Sequence, residues 1–239
     1  MRISVCMATY NGEKYLTQQL ASIIGQLQAG DEFIISDDSS TDSTLSIIEN
    51  LQDSRIKLLK NNTFYNPIYN FENALQQATG DVIVLSDQDD IWLENKLAVI
   101  RRHFEHKRSL IYTLVLDGFI IDDTGAIIKE SIFDTIGSRK GILKNLYDNT
   151  YMGCSMAFSS ELLSIALPFP KGIPMHDWWL GLIAECFGTV EFVREKTIKY
   201  RRHPANVSYR NSKVSQQIRR RYFLAYRLFQ RWLTQARTS

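Results

Sequence analysis

Residues 80–97 read GDVIVLSDQDDIWLENKL. Asp81 to Leu85 is a short run rich in β-branched residues behind a glycine, the pattern of a buried strand. The run passes straight into Ser86, Asp87, Gln88, Asp89 and Asp90, and a helical pattern follows from Trp92 to Phe104. A strand that ends in carboxylates and feeds a helix is one unit of a parallel α/β sheet, in which ligands bind beyond the carboxyl ends of the strands.

The same order recurs upstream. Ile3 to Ala8 predicts a strand and Lys14 to Leu27 a helix, because Leu16, Leu20, Ile23 and Leu27 share one helical face. Strand Glu32–Ser36, helix Ser43–Leu51, strand Arg55–Leu59 and helix Ile68–Gln77 follow. After Ser109 the alternation fails. Leu110–Leu116 and Phe119–Ile128, with a turn at Asp122–Gly125, predict strands of a mixed region. Met152–Phe158 predicts a further strand, Asp177–Phe187 a helix, Thr189–Val193 and Thr197–Tyr200 two short strands, and Ser212–Leu233 a long terminal helix. The expectation is an α/β domain over 1–211 and a basic amphipathic helical extension over 212–239.

The chain has 239 residues, 44% hydrophobic and 23% charged, which excludes disordered and collagen-like classes. Cys6, Cys154 and Cys186 are odd in number and far apart, so no disulfide framework is expected. The first residues lack the pattern of a signal peptide, and nowhere do 18 apolar residues run without a charge. A cytoplasmic location is the expectation, with the inner face of the cell membrane as its peripheral variant. The net charge of +2 conceals an asymmetry: residues 196–239 hold twelve Lys and Arg and no Asp or Glu, leaving sixteen basic against twenty-six acidic side chains elsewhere. An acidic body repels a phosphate backbone, so nucleic acid is not an expected partner.

Three strand ends carry chemistry. Strand one ends in Thr9, Tyr10, Asn11 and Gly12, and strand two in Asp37, Asp38, Ser39 and Ser40. In Asp87-Gln88-Asp89, two carboxylates one residue apart reach a single hard cation, which can bridge a diphosphate. The competing use is Asp89 or Asp90 as the N-cap of the following helix, and both uses can hold. Asp37 and Asp38 offer an acceptor to the imide N–H of a pyrimidine, with Tyr10 as a stacking face; capping by Ser40, Thr41 or Asp42 is the other reading. Asp177, in Met175-His176-Asp177-Trp178-Trp179, either caps its helix or serves as a general base beside aromatic rings.

Taken in order, ISVCMATYNGEKYLTQQLASI (3–23), FIISDDSSTDST (33–44), NFENAL (70–75), GDVIVLSDQDDIWLENKL (80–97), MHDWWLGLIAECFG (175–188) and YRRHPANVS (200–208) resemble the bacterial family 2 glycosyltransferases. The combination of SDQDDIW, HDWW and YRRH-x-x-N is most similar to rhamnosyltransferase-type members. The resemblance implies a GT-A-type, Rossmann-like fold with a mixed central sheet. It implies transfer of a sugar, rhamnose from dTDP-rhamnose in the leading reading, from a nucleotide diphosphate donor to a hydroxyl of a glycan or lipid-linked glycan, with inversion. It also implies roles. Tyr10 and Asp38 would hold the base, with Thr9 and Asn11 beside them. Asp87 would contact ribose or metal, and Asp89 would be the main ligand of Mn2+ or Mg2+. His203 would be a late metal or diphosphate contact, Arg202 (with Arg201) would close the diphosphate site, and Asp177 would be the catalytic base. Two positions depart from the pattern: Ser39 stands where glycine is frequent, and Pro67 where many relatives are basic or small.

Other classes remain in view. A sugar nucleotidyltransferase needs a glycine-rich loop after strand one, where only Gly12 is present. A phospho-receiver module explains Asp37-Asp38 and not Asp87 to Asp90. A catalytically silent binding protein would use the terminal helix, whose stripe of Ile218, Tyr222, Ala225, Tyr226, Phe229, Trp232 and Leu233 opposes Arg219, Arg220, Arg227 and Arg231. Such a helix lies in an anionic membrane interface, packs on the domain with its basic face in water, or makes an oligomer contact, and the sequence leaves these open.

Overall fold

The computed structural model describes residues 1–204, 206 and 214–236. Its strands are β1 (Ile3–Thr9), β2 (Glu32–Asp37), β3 (Ile56–Leu59), β4 (Val82–Ser86), β5 (Ile91–Trp92), β6 (Tyr112–Ile121), β7 (Ile127–Lys129), β8 (Met156–Ser159) and β9 (Thr189–Arg201). Its helices are α1 (Glu13–Ile24), α2 (Thr44–Glu49), α3 (Pro67–Gln76), α4 (Lys96–Glu105), α5 (Ile132–Ile136), α6 (Ile142–Tyr147), α7 (Glu161–Ala166), α8 (His176–Phe187) and α9 (Val214–Ala236).

One mixed sheet runs in the order β3-β2-β1-β4-β8-β6-β9-β5, with β7 paired to β6. The first four strands are parallel, and β8 lies antiparallel between β4 and β6. Residues 3–7 of β1 and all of β2 and β4 are buried, as continuous apolar runs covered on both faces require. Helix α1 buries Leu16, Leu20 and Ile23 on one face. Helix α3 opens with Pro67 in its first turn, and the Asn66 side chain accepts from the Ile68 N–H at 2.9 Å. Pro67 therefore has a local structural purpose.

Three expectations change. Trp92 belongs to β5, which pairs with β9, and α4 starts only at Lys96 behind Asn95, so neither Asp89 nor Asp90 caps it. Residues 112–121 form one strand, and Thr189–Arg201 is likewise continuous: Leu116 and Asp117 face Val193 and Lys196, so Arg194 and Glu195 form a bulge. That bulge is why the sequence reads as two strands. The expected boundary at 211/212 lies outside the described residues. Leu224 and Leu228 of α9 join the hydrophobic cluster that holds the sheet.

Candidate functional site

The carboxyl ends of β1, β2 and β4 meet, as parallel pairing demands. Tyr10 is 52% exposed at the β1 end. Its position is fixed by Gln88, whose amide accepts from the Tyr10 N–H at 2.9 Å and donates to the Tyr10 carbonyl at 3.0 Å. A Cβ on Gly12 would lie 2.4 Å from Gln88 Oε1, so any larger residue there would displace the Gln88 amide from Tyr10. Asn11 adopts φ 46° and accepts through Oδ1 from the Thr41 N–H at 2.8 Å, joining the β1 and β2 loops.

Thr9 is buried beneath Tyr10, with its hydroxyl donating to Asp37 Oδ2 at 2.8 Å. Asp37 also accepts from the Ser40 N–H and hydroxyl. The Asp38 carboxylate accepts from the Phe64 and Asn66 N–H groups at 2.6 and 3.1 Å, so it holds the loop before α3 against the end of β2. Ser39 adopts φ 60°, the left-handed region that favours glycine, and its hydroxyl donates to the Asn62 carbonyl. A side-chain bond to the loop thus accompanies the departure from glycine.

Past β4 the acids divide. Asp89 Oδ2 lies 2.7 Å from His203 Nε2 and accepts from Asn206 Nδ2 at 3.2 Å, while Asn206 Oδ1 accepts from the His203 N–H. The late segment is thereby brought onto the β4 loop. Asp90 is fully buried and accepts from the Arg201 N–H at 2.9 Å; its Oδ2 has no hydrogen-bond partner. Carboxylate atoms of Asp87 and Asp90 and the Cys154 sulfur lie within 4.8 Å of one another. Lys96, also buried, donates to the Cys154 carbonyl at 2.6 Å with Nζ 4.3 Å from the Trp92 ring centroid. Burial, then the charges of Asp89 and Asp177, push the Asp87 carboxyl up to about 7, and burial, then the charges of Asp89 and Asp87, holds Asp90 well above the carboxylate range. Burial pushes Lys96 down to about 8.

Asp177 stands in the first turn of α8. Its carboxylate accepts from the Gly153 N–H at 3.1 Å and from the Trp178 N–H at 2.6 Å, and burial raises it to about 6. Met175 holds the N-cap position. His176 is buried, stacked on Phe71 at 4.0 Å between centroids. Asp177 thus joins Asp87 from the other half of the chain, near enough for its charge to act there.

Arg201 is 2% exposed and its guanidinium is fully engaged: Nε donates to the Asp89 carbonyl, Nη1 to those of Asp122 and Asp123, and Nη2 to Gln18 Oε1 at 3.0 Å. It braces the loop that follows β4 from inside the fold. The Arg202 N–H donates to the Ile121 carbonyl at 2.8 Å, which ties the residue before His203 to the end of β6. Gln88, Lys96 and Asn206 carry this geometry without having been assigned roles from sequence. The spacing His203-x-x-Asn206 was the only signal for any of them.

A divalent cation suits this donor set. Asp87, Asp89 and His203 offer two carboxylates and an imidazole, and acids that oppose one another's ionisation are relieved by added positive charge.

The model of glycosyl transferase family 2 matches residues 4–163. The chain is 28% identical over 181 residues to UDP-Glc:alpha-D-GlcNAc-diphosphoundecaprenol beta-1,3-glucosyltransferase WfgD of Escherichia coli, covering 75% of this chain and 68% of that one. It is 29% identical over 224 residues to dTDP-rhamnosyl transferase RfbG of Shigella flexneri, covering 84% and 72%. In fold it is similar to S. aureus TarS 1-349 in complex with UDP-GlcNAc, with TM-score 0.71, 21% identity and coverage of 87% and 62%. The mannosyltransferase PcManGT from Pyrobaculum calidifontis, solved with GDP-Man and Mn2+, gives TM-score 0.64 at 19% identity, covering 95% and 64%. The chain therefore spans less than two thirds of the length of these solved relatives.

Proposed function

Because the chain belongs to glycosyl transferase family 2 and has the GT-A fold, we propose that it moves a sugar from a nucleotide diphosphate donor to a hydroxyl of a glycan acceptor with inversion at the anomeric carbon. The observation that carries this reading is the approach of Asp177 to the Asp87 cluster. A base with its carboxyl raised to about 6 stands beside the carboxylates that suit a metal-bound diphosphate.

In the proposed reaction Asp177 accepts the proton of the acceptor hydroxyl as that oxygen bonds to the anomeric carbon. The bond from that carbon to the diphosphate oxygen breaks, and the nucleoside diphosphate leaves with the bonding pair. Asp87, Asp89 and His203 would hold a divalent metal, Mn2+ or Mg2+, which when bound would supply Lewis-acid stabilisation to the leaving diphosphate. Asn206 orients His203, and Arg202 adds charge at the diphosphate. Tyr10 offers the base a face, with Thr9 and Asn11 shaping the loop beneath it. Asp38 retains lone pairs for the imide N–H of a pyrimidine while it holds the 64–66 loop.

The proposed donor is dTDP-rhamnose. RfbG, named as a dTDP-rhamnosyl transferase, aligns over more of this chain than WfgD does. The proposed acceptor is a glycan on a lipid diphosphate, the class named for WfgD, in cell-surface polysaccharide synthesis at the inner face of the membrane. Among the described residues no helix is long and apolar enough to cross a membrane, so the chain would work there peripherally. The division into a catalytic domain over 1–211 and a helical extension over 212–239 belongs to the same proposal. Release of nucleoside diphosphate from dTDP-, UDP- and GDP-sugars, with and without manganese, tests it. Release from dTDP-rhamnose alone and only with metal supports the donor and the metal; equal release without metal overturns the metal assignment.

A further inference from the structure

Helix α9 is anchored by one side only. Leu224 is fully buried and Leu228 nearly so. Arg221 stacks over Tyr147 of α6 at 4.1 Å and donates to its carbonyl at 2.7 Å, and Arg231 donates to the Pro168 carbonyl at 2.6 Å. At about 100° per residue, Ile218, Tyr222, Phe229 and Leu233 share one arc, flanked by Tyr226 and Trp232, on the side away from Leu224. All six are exposed, from 38% at Leu233 to 76% at Tyr222. The helix therefore docks on the domain through Leu224, Leu228, the partly buried Phe223 and arginine side chains, and turns the stripe of Tyr222, Tyr226, Phe229 and Trp232 outward. That is the reverse of a helix packed by its apolar face with its basic face in water. Leu143 and Tyr147 of α6, the helix on which α9 packs, are exposed as well.

An exposed apolar surface of this extent marks a docking site. The charge says for what. Residues 214–236 contain five arginines and no Asp or Glu; Arg221 and Arg231 bond to the domain, while Arg219 is exposed at the edge of the stripe and Lys140 and Lys144 lie on or beside α6. A second copy placed stripe against stripe would set two arginine-bearing helices side by side with no carboxylate between them. An anionic lipid surface supplies the missing charge, and tyrosine, tryptophan and phenylalanine suit its interface.

We propose that the outward stripe of α9 is the surface by which this protein lies on an anionic bilayer, as a preformed helix held rigidly to the catalytic domain. The proposal deepens the reading of a lipid-carried acceptor and rests on it for its purpose, though its geometry is independent of that reading.

The test is co-sedimentation of the full chain with phosphatidylcholine vesicles with and without phosphatidylglycerol, beside the variant Tyr222→Ser/Phe229→Ser/Trp232→Ser. These side chains are exposed, so the variant keeps its fold, which is checked by its melting temperature. The expected result is binding to the anionic vesicles, weakened at least about tenfold in the variant and lowered by salt. Far-ultraviolet dichroism should stay unchanged on binding, because the helix is already formed. Equal binding by parent and variant, or no binding by the parent, overturns the proposal. A concentration-dependent doubling of mass that the variant abolishes overturns it in favour of a second copy. Donor turnover in vesicle-free solution reports on the glycosyl-transfer reading alone, so the two failures are distinguishable.

Discussion

Asp177 carries the sharpest consequence at the scale of single residues. A base raised to about 6 must be ionised to act, so transfer should fall by about tenfold per pH unit below that value and level off above it. Asp177→Asn should lower turnover by about two to four orders of magnitude, measured by nucleoside diphosphate release, with nucleotide binding retained. Stability carries a second prediction for the same variant. A carboxyl whose folded value lies above its unfolded one disfavours folding once pH exceeds the unfolded value, and this penalty grows until pH passes about 6. At neutral pH and above, the Asn variant, which keeps a side-chain acceptor and sheds the buried charge, should therefore melt no lower than the parent. At Asp89, replacement by Ala removes the partner of both His203 and Asn206. The rise in melting temperature that added manganese gives the parent should vanish in that variant; an undiminished rise would remove Asp89 from the ligand set.

At the scale of elements, the parallel half of the sheet was legible because each of its strands is a short apolar run ended by polar residues. The acids at those ends were legible for the same reason. What the sequence hid are pairings between distant segments. Trp92 looks helical by its neighbours and becomes a strand residue only because β9 lies beside it. The Arg194–Glu195 bulge splits one strand into two apparent ones. Arg201 reads as a diphosphate ligand in Tyr-Arg-Arg-His, yet it points inward to bind carbonyls of the β4 loop and the β6–β7 turn. Arg201→Met should leave those oxygens without donors and cost about 3 kcal/mol, read from the midpoint of urea unfolding. It should also weaken manganese binding, because Asp89 loses its brace. A variant as stable as the parent would contradict the bracing role.

Across the whole molecule, the charge asymmetry acquires a position. Much of the basic excess sits on α9, and arginine stems help to seat that helix while its aromatic residues face out. Composition can find an amphipathic stripe, but only tertiary packing decides which side of it is covered. The two faces should answer differently to mutation. Leu224→Ala, in the shared core, should cost about 2–5 kcal/mol. Tyr222→Ser, 76% exposed, should change thermal stability by about 0.5 kcal/mol or less. Equal losses at both positions would mean that the stripe is covered by the protein itself.

The central claim is that Asp177 deprotonates an acceptor hydroxyl beside a donor held at Asp87 and Asp89. Acceptor-dependent release of nucleoside diphosphate, measured for the parent and for Asp177→Asn at saturating donor and manganese, tests it most directly. The account predicts release by the parent that requires acceptor, and almost none by the variant although it still binds donor. Release by the variant at the parent's rate would contradict it.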